Sequence, residues 1–423
     1  MTLAQPAQTR ARKRVARRRF LGCDVLTAAR TRISRMFDDA PRVCVSFSGG
    51  KDSGVVLELC AQEARRRGRR LGVLIVDLEA QFAATIRYVH TMLERHADVL
   101  DVYWVCLPIT LRNAVSHHQP TWVCWDPEEQ QRWVRPLPEH PGVVSDPAYW
   151  DWFEPGMEFE DLVPRFADWY SQGKLSVAMV GIRAQESINR WRTIASARKR
   201  THEGLRWTTW LAGTTSINAY PIYDWKTEDV WRFYGKTGTP HNEIYDWMYR
   251  AGLSIHQQRL CQPYGDDQRK GLWLFHILEP QTWGKVAARV EGATFGARYA
   301  NTRGNMFGRV EISKPDRFTW EEFTHFLLAN MPPGTAEHYR NKFAKFVRWH
   351  QEHTPGCEEG RIPDEGPLDK KHPSWKRMAK VVLTYDYYCK GLSFSPPANT
   401  RAKREYDAYM KKKRAQWNLP GLA

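Results

Sequence analysis

Apolar and polar positions fall into blocks of two lengths along the first 260 residues. Val43-Cys44-Val45-Ser46-Phe47 and Leu71-Gly72-Val73-Leu74-Ile75-Val76-Asp77 are short and almost continuously apolar, the pattern of strands in a sheet covered on both faces. Residues 55–67 predict a helix ending in Arg65-Arg66-Arg67-Gly68, and residues 81–95 a second, with Ile86, Val89, His90 and Leu93 on one stripe. Residues 99–109 predict a third strand, and residues 175–183 another that leads into a helix beginning at 184–190. Strand and helix alternating at this spacing predict an α/β fold with a doubly wound, mainly parallel sheet.

The rhythm breaks twice. Residues 110–172 interleave eight prolines with six tryptophans, from Trp122 to Trp169, and predict an insertion or lid whose rings pack it onto the body, since no basic stripe accompanies them. Residues 219–231 predict a short edge strand, a turn and a helix capped by Thr227, and Tyr245, Met248 and Tyr249 share one helix face, as packing residues do. From about residue 265 the alternation ends. Thr319-Trp320-Glu321-Glu322 is a capping box for a helix through Leu328, and Thr335 opens another that carries Tyr339, Phe343, Phe346 and Val347. Residues 354–373 read as an exposed loop. The predicted organisation is a basic arm at 1–19, a nucleotide domain at 20–260 with its insertion, a mainly helical region at 261–400 and a basic tail at 401–423.

Composition changes this picture only at the ends. The chain of 423 residues is 42% hydrophobic with 19 Trp, ample for a folded interior. Its formal net charge is +16, but residues 1–19 carry seven Lys/Arg and no acid, and residues 401–423 carry seven against Glu405 and Asp407. The two ends thus hold twelve of the sixteen charges, and residues 20–400 as a whole give no sign of a nucleic-acid-binding body. The tails could hold a polyanion such as nucleic acid, or serve as solubilising arms. No stretch approaches the roughly 20 apolar residues of a membrane span, and the N-terminus has no apolar segment suited to secretion, so the expected location is cytoplasmic. Eight cysteines show no C-x-x-C pair, which leaves a closed zinc site or an iron–sulfur cluster without supporting spacing. Cys44, Cys60 and Cys106 sit in apolar runs and read as core.

The most informative chemistry lies between the first strand and the first helix, in Ser48-Gly49-Gly50-Lys51-Asp52-Ser53. Adjacent glycines let backbone approach an anion closely, and Ser53 is suited to cap the helix whose free N–H groups face it. A Walker A loop needs Gly-Lys followed directly by Ser or Thr, whereas Asp52 intervenes here. Asp77 ends the second strand, so two strand ends converge on one crevice. Arg183, Glu186 and Arg190 cluster after the later strand, where a planar guanidinium can take two phosphate or sulfate oxygens or pair with Glu186. Asp224 and Asn242 are further polar candidates.

Taken together, Ser48–Ser53, the strand ending at Asp77, Gly181-Ile182-Arg183 with Glu186, Ser187 and Arg190, and Tyr220-Pro221-Ile222 with Asp224-Trp225 resemble the phosphoadenosine phosphosulfate (PAPS) reductase family of the adenine-nucleotide α-hydrolase-like, or PP-loop, fold. The insertion and Asn242-Glu243-Ile244-Tyr245-Asp246 resemble a subgroup that includes the immunoglobulin-binding regulator A proteins of bacteria and phages, whose members often accompany a ParB-like partner. The resemblance implies that Ser48, Gly49, Gly50, Lys51, Asp52 and Ser53 hold phosphates, that Asp77 lies near the nucleoside, that Arg183 and Arg190 reach the distal anion, and that Gly181 and Glu186 belong to the nucleotide-binding set. Asp52 and Asp224 are the acids expected near Mg²⁺. The ligand is ATP or PAPS. The Glu-Cys-Gly-type motif of the reductases is missing, so the expected reaction is ATP cleavage between the α and β phosphates to adenylate an acceptor. The alternatives are thiol-dependent PAPS reduction and a nucleotide-sensing regulator that approaches DNA or a partner. Cys261, next but one to Arg259, is the candidate thiol, against its reading as an inert residue.

Overall fold

The computed structural model describes residues 22–116, 118–196, 199–265, 272–294, 312, 314–354, 356–357, 361–366, 372–383, 386–387 and 389–392. The basic arm at 1–19 and the tail at 401–423 lie outside the described residues. The chain opens with α1 (Val25–Asp39), which the sequence pattern did not single out; Asp24 caps it by accepting from the Leu26 and Thr27 N–H groups. Then follow β1 (Arg42–Ser46), α2 (Lys51–Arg66), β2 (Leu71–Val76), α3 (Ala83–Arg95) and β3 (Leu100–Val105). Each was predicted, with α2 starting four residues early because the loop winds straight into the helix.

The segment read as an insertion is partly structural core. It forms the hairpin β4 (Ile109–Arg112) and β5 (Thr121–Cys124), the short strand β6 (Val143–Val144) and the helix α4 (Phe159–Ser171). β6 pairs with β3 as an edge strand, and α4 carries the chain back across the sheet to β7 (Ser176–Val180). Packing is the role of its rings: Trp122, Trp125 and Trp150 are buried. After β7 come α5 (Ile188–Ala195), the hairpin β8 (Thr208–Trp210) and β9 (Ser216–Ala219), then α6 (Thr227–Thr237) and α7 (Ile244–Arg250).

The main sheet has the order β6-β3-β2-β1-β7-β9-β8, and every pair in it is parallel except β8 with β9. The chain leaves β1 towards β2 and β3, then returns to β7 on the other side of β1. β1 and β7 therefore flank the topological switch point, where a crevice opens at the carboxyl ends of the strands. Beneath α4 the sheet face is small: Gly72, Cys44, Ala178 and Asn218 align across four strands. At Gly72 a Cβ would come within 2.5 Å of the Tyr170 hydroxyl, so glycine is required there.

From α8 (Leu272–Leu278) and α9 (Pro280–Arg289) onward the regular elements among the described residues are helices, including Trp320–Ala329, Pro333–His353 and Trp375–Leu383. The capping box forms as predicted, between Thr319 and Glu322. These last helices build a second apolar cluster around Tyr339, Phe343, Phe346 and Met378. α9 is tied to the nucleotide domain by one buried ion pair: Arg289 Nε donates to Glu79 at 2.8 Å, with both side chains almost fully buried. Glu79 also accepts from the Trp125 and Val134 N–H groups at 2.8 and 3.0 Å, so one carboxylate joins the end of β2, the tryptophan-rich segment and α9. Breaking one side of such a pair leaves an uncompensated buried charge. Arg289→Ala is expected to lower the stability of the nucleotide domain by about 3–5 kcal/mol, read as a shift of the urea midpoint; a shift under about 0.5 kcal/mol would show that the pair is not structural.

Candidate functional site

The loop after β1 turns on Gly49, which sits at φ 68°, where glycine alone is unstrained. Its Cβ would also lie 2.7 Å from the Thr85 side chain. Gly181, at the end of β7, is pressed onto the loop from the other side, where a Cβ would meet the Ser53 nitrogen at 2.8 Å. Ser53 does not cap α2 as predicted. Gly50 is the N-cap, without a side-chain bond, while the Ser53 hydroxyl bonds back to the Gly50 carbonyl at 3.1 Å and accepts from Ser48 N–H at 3.3 Å. The serine braces the turn from inside the helix.

Two residues near α7 hold the loop from above. Asn242 is fully buried, and its amide donates to the Gly49 carbonyl at 2.9 Å and to Thr85 Oγ1 at 3.0 Å. The Tyr245 hydroxyl accepts from the Lys51 N–H at 3.1 Å, and the Lys51 ammonium lies 4.9 Å from that ring's centre. Burial, with the Asp52 charge adding to it, raises the Tyr245 phenol well above its ordinary value, so it stays protonated. The helix-face pattern marked Tyr245 and Met248 as packing, and both are buried, whereas Tyr249 is exposed. Nothing in that pattern revealed that Tyr245 also touches the loop.

The charges at the loop do not balance. Lys51 and Arg183 are both buried, and both lean on Asp52: Lys51 Nζ at 3.2 Å and Arg183 Nε at 2.5 Å. Arg183 also donates to Thr227 Oγ1 at 3.3 Å. Thr227, predicted as the cap of α6, is instead its first residue, and Lys226 holds the cap position. Two buried cations thus share one carboxylate, and a buried charge without a partner is costly. The arrangement leaves an excess of positive charge at the loop.

Around this point lies a crevice of about 450 Å³. Ser48, Gly50, Lys51, Asp52, Ser53, Gly181, Arg183, Glu186 and Arg190 all line it, so most of the predicted set comes together. Arg190 is half-exposed and only loosely paired with Glu186, at 3.8 Å. Phe159, Val163 and Phe166 of α4 form an apolar wall over the small-residue face of the sheet. The far wall comes from residues 255–261, with Gln258, Arg259 and Cys261. Lys51 Nζ reaches the Gln258 carbonyl at 3.4 Å, and Arg259 donates to the Glu186 carbonyl. Cys261 is exposed, while Cys44, Cys60 and Cys106 are buried as expected, burial pushing Cys44 up to about 12.

Two predicted residues lie elsewhere. Asp77 does not line the crevice; it is buried, accepting from Trp104 Nε1 at 2.8 Å and paired with Arg135. Asp224 is engaged by Arg32 of α1 through two bonds of 2.7 and 2.8 Å. Asp52 is shared by Lys51 and Arg183, so among the described residues the two acids expected near Mg²⁺ each face a cation.

A doubly wound sheet with a glycine loop at its switch point and an unbalanced pair of buried cations defines a PP-loop nucleotide-binding protein. The chain belongs to the PAPS reductase domain family: the model of the phosphoadenosine phosphosulfate reductase domain matches residues 42–251, and a domain of unknown function (DUF3440) matches residues 252–365. It is 43% identical over 401 residues to the uncharacterized protein YbdN of Escherichia coli (strain K12), covering 94% of this chain and 97% of that one. Among solved structures it is similar to a PAPS reductase from Candida auris in a phosphate complex, with 13% identity, 52% of this chain and 85% of that one covered, and a TM-score of 0.30. NMN synthetase from Francisella tularensis shows the same identity and TM-score over 70% of this chain and 100% of that one. Among the described residues no helix is long and apolar enough to cross a membrane.

Removing the Asn242 amide strands the Gly49 carbonyl. Asn242→Ala is expected to cost about 1–3 kcal/mol in urea unfolding; an unchanged midpoint would mean that the clamp does not hold the loop.

Proposed function

We propose that the crevice binds an adenine nucleotide and that the protein cleaves ATP between the α and β phosphates, transferring the adenylyl group to an acceptor. The observation that carries this reading is the pair of buried cations, Lys51 and Arg183, sharing Asp52 beside a glycine loop. A polyphosphate entering there supplies the missing negative charge, and the Lys51 ammonium and loop N–H groups are placed to stabilise the departing pyrophosphate. The apolar wall of α4 over a flat, small-residue sheet face suits a planar base. Arg190, loosely paired and half in solvent, is free to exchange Glu186 for a distal phosphate oxygen. The bond to the α phosphorus breaks as the acceptor attacks, and the electron pair leaves on pyrophosphate. Magnesium, when bound with ATP, supplies charge neutralisation, its ligands being chiefly phosphate oxygens.

A second reading, thiol-dependent reduction of a sulfonucleotide, is favoured by one observation: Cys261 lines the same crevice. Its thiolate would attack the sulfonate sulfur, leaving an S-sulfonated cysteine and adenosine bisphosphate. The third reading, a regulator acting with a ParB-like partner or DNA, draws on the basic tails outside the described residues.

Incubation of the pure protein with ATP or PAPS and chromatography of the products separates these. The expected result is pyrophosphate from ATP, lost at least about 100-fold in Lys51→Ala, as when one transition-state donor is removed. Pyrophosphate release unchanged in that variant, or sulfite from PAPS with an adduct on Cys261, would overturn the adenylylation reading.

A further inference from the structure

α5 is an odd helix. Of its eight residues only Ile194 is buried, packed against Ile182 and Tyr220. Ile188 and Trp191 stand 64% and 54% exposed, the highest values for large apolar side chains near the crevice. A helix this short has little stability of its own, and two large apolar side chains held in water argue that something covers them.

The surroundings specify what. Residues 187–211 hold six Lys/Arg and a single acid, Glu203, a local excess hidden in the near-neutral total of the body. Glu203 is itself engaged by Arg35. Arg190 and Arg192 flank Trp191 on both sides and are exposed. The surface continues past α5: Lys199 lies 5.7 Å over the Tyr220 ring that Ile194 packs on, and Arg200 lies 4.6 Å over the Trp210 ring at the sheet edge. At the other end, Arg190 and Phe159 open directly onto the crevice, and Phe159 is 40% exposed.

We infer that this surface docks an unpaired nucleic-acid strand at the mouth of the crevice. Guanidinium groups spaced along an exposed aromatic side chain match a backbone of phosphates with bases free to stack. A paired duplex keeps its bases stacked on one another and presents no free face to Trp191. A bilayer is flat and would leave the crevice mouth unused, while an acidic segment without aromatic side chains gives Trp191 no ring to stack on. That a nucleotide of this strand carries the group receiving the adenylyl moiety rests on the reading above; the docking itself stands on α5 and its neighbours.

The test uses the full chain and fluorescence anisotropy with a labelled 12-nucleotide single strand, as DNA and as RNA, and with the matched duplex. The single strand binds more tightly than the duplex. The logarithm of affinity falls with the logarithm of salt with a slope of about −2 to −3.5, as three to five phosphate contacts give. Trp191→Ala weakens binding at least about 5-fold, the lower end of one lost stacking contact, and Arg192→Glu weakens it and flattens the salt slope. Both substitutions are at exposed positions, so the variants fold. Three results would overturn the inference: affinity unchanged in both variants, which assigns any binding to the basic ends; a duplex bound as tightly as the single strand; or displacement by poly-L-glutamate as effective as by the unlabelled strand. ATP affinity by calorimetry on the same proteins separates the two proposals. A wild-type chain that binds the strand but no ATP refutes the adenylylation reading and leaves this surface in place; one that binds ATP but no strand does the reverse.

Discussion

Asp52 is the one negative group between two buried cations, and the geometry around it decides what the rest of the site can be. With Lys51 and Arg183 both leaning on a single carboxylate, neither cation has an acid of its own among the described residues. Such an arrangement persists only if the surrounding fold holds the groups in place. The fold does this by position. Lys51 and Asp52 open α2 after β1, and Arg183 follows β7. These two parallel strands are adjacent only because α4 returns the chain across the sheet. The crossover helix thus brings the charges together, although it lies in the segment that least resembled the rest of the domain.

A second carboxylate does comparable work for architecture. Glu79 is left-handed at φ 63° and fully buried, a costly conformation for a non-glycine residue. Its side chain collects backbone donors from the tryptophan-rich segment and the guanidinium of Arg289. Asp77, two residues earlier, binds Trp104 and Arg135. The end of β2 therefore serves as an anchor for the flanking segments, while the end of β1 faces the crevice. Two strand ends that looked equivalent in sequence carry different duties.

The elements that were legible share one property: their signal is local. Continuous apolar runs gave β1, β2 and β7, and the glycine pair with Lys51 gave the loop, because strand burial and backbone approach are imposed on neighbouring residues. What the sequence could not reveal depends on partners far along the chain. Asp224 meets Arg32 across 192 positions, and Tyr245 meets Lys51 across 194. No periodicity records such a meeting, so Asp224 read as a metal candidate and Tyr245 as plain packing. Net charge is non-local in a different way: a sum over residues 20–400 averages away the local excess of Lys and Arg at residues 187–211.

The stretch 255–261 lies beyond the matched PAPS reductase domain, which ends at residue 251, yet it forms one side of the crevice and lends a backbone carbonyl to Lys51. The boundary drawn by sequence similarity therefore runs through the pocket. An ancestor that exchanged its trailing domain would have exchanged one wall of this crevice in the same event, with the glycine loop untouched.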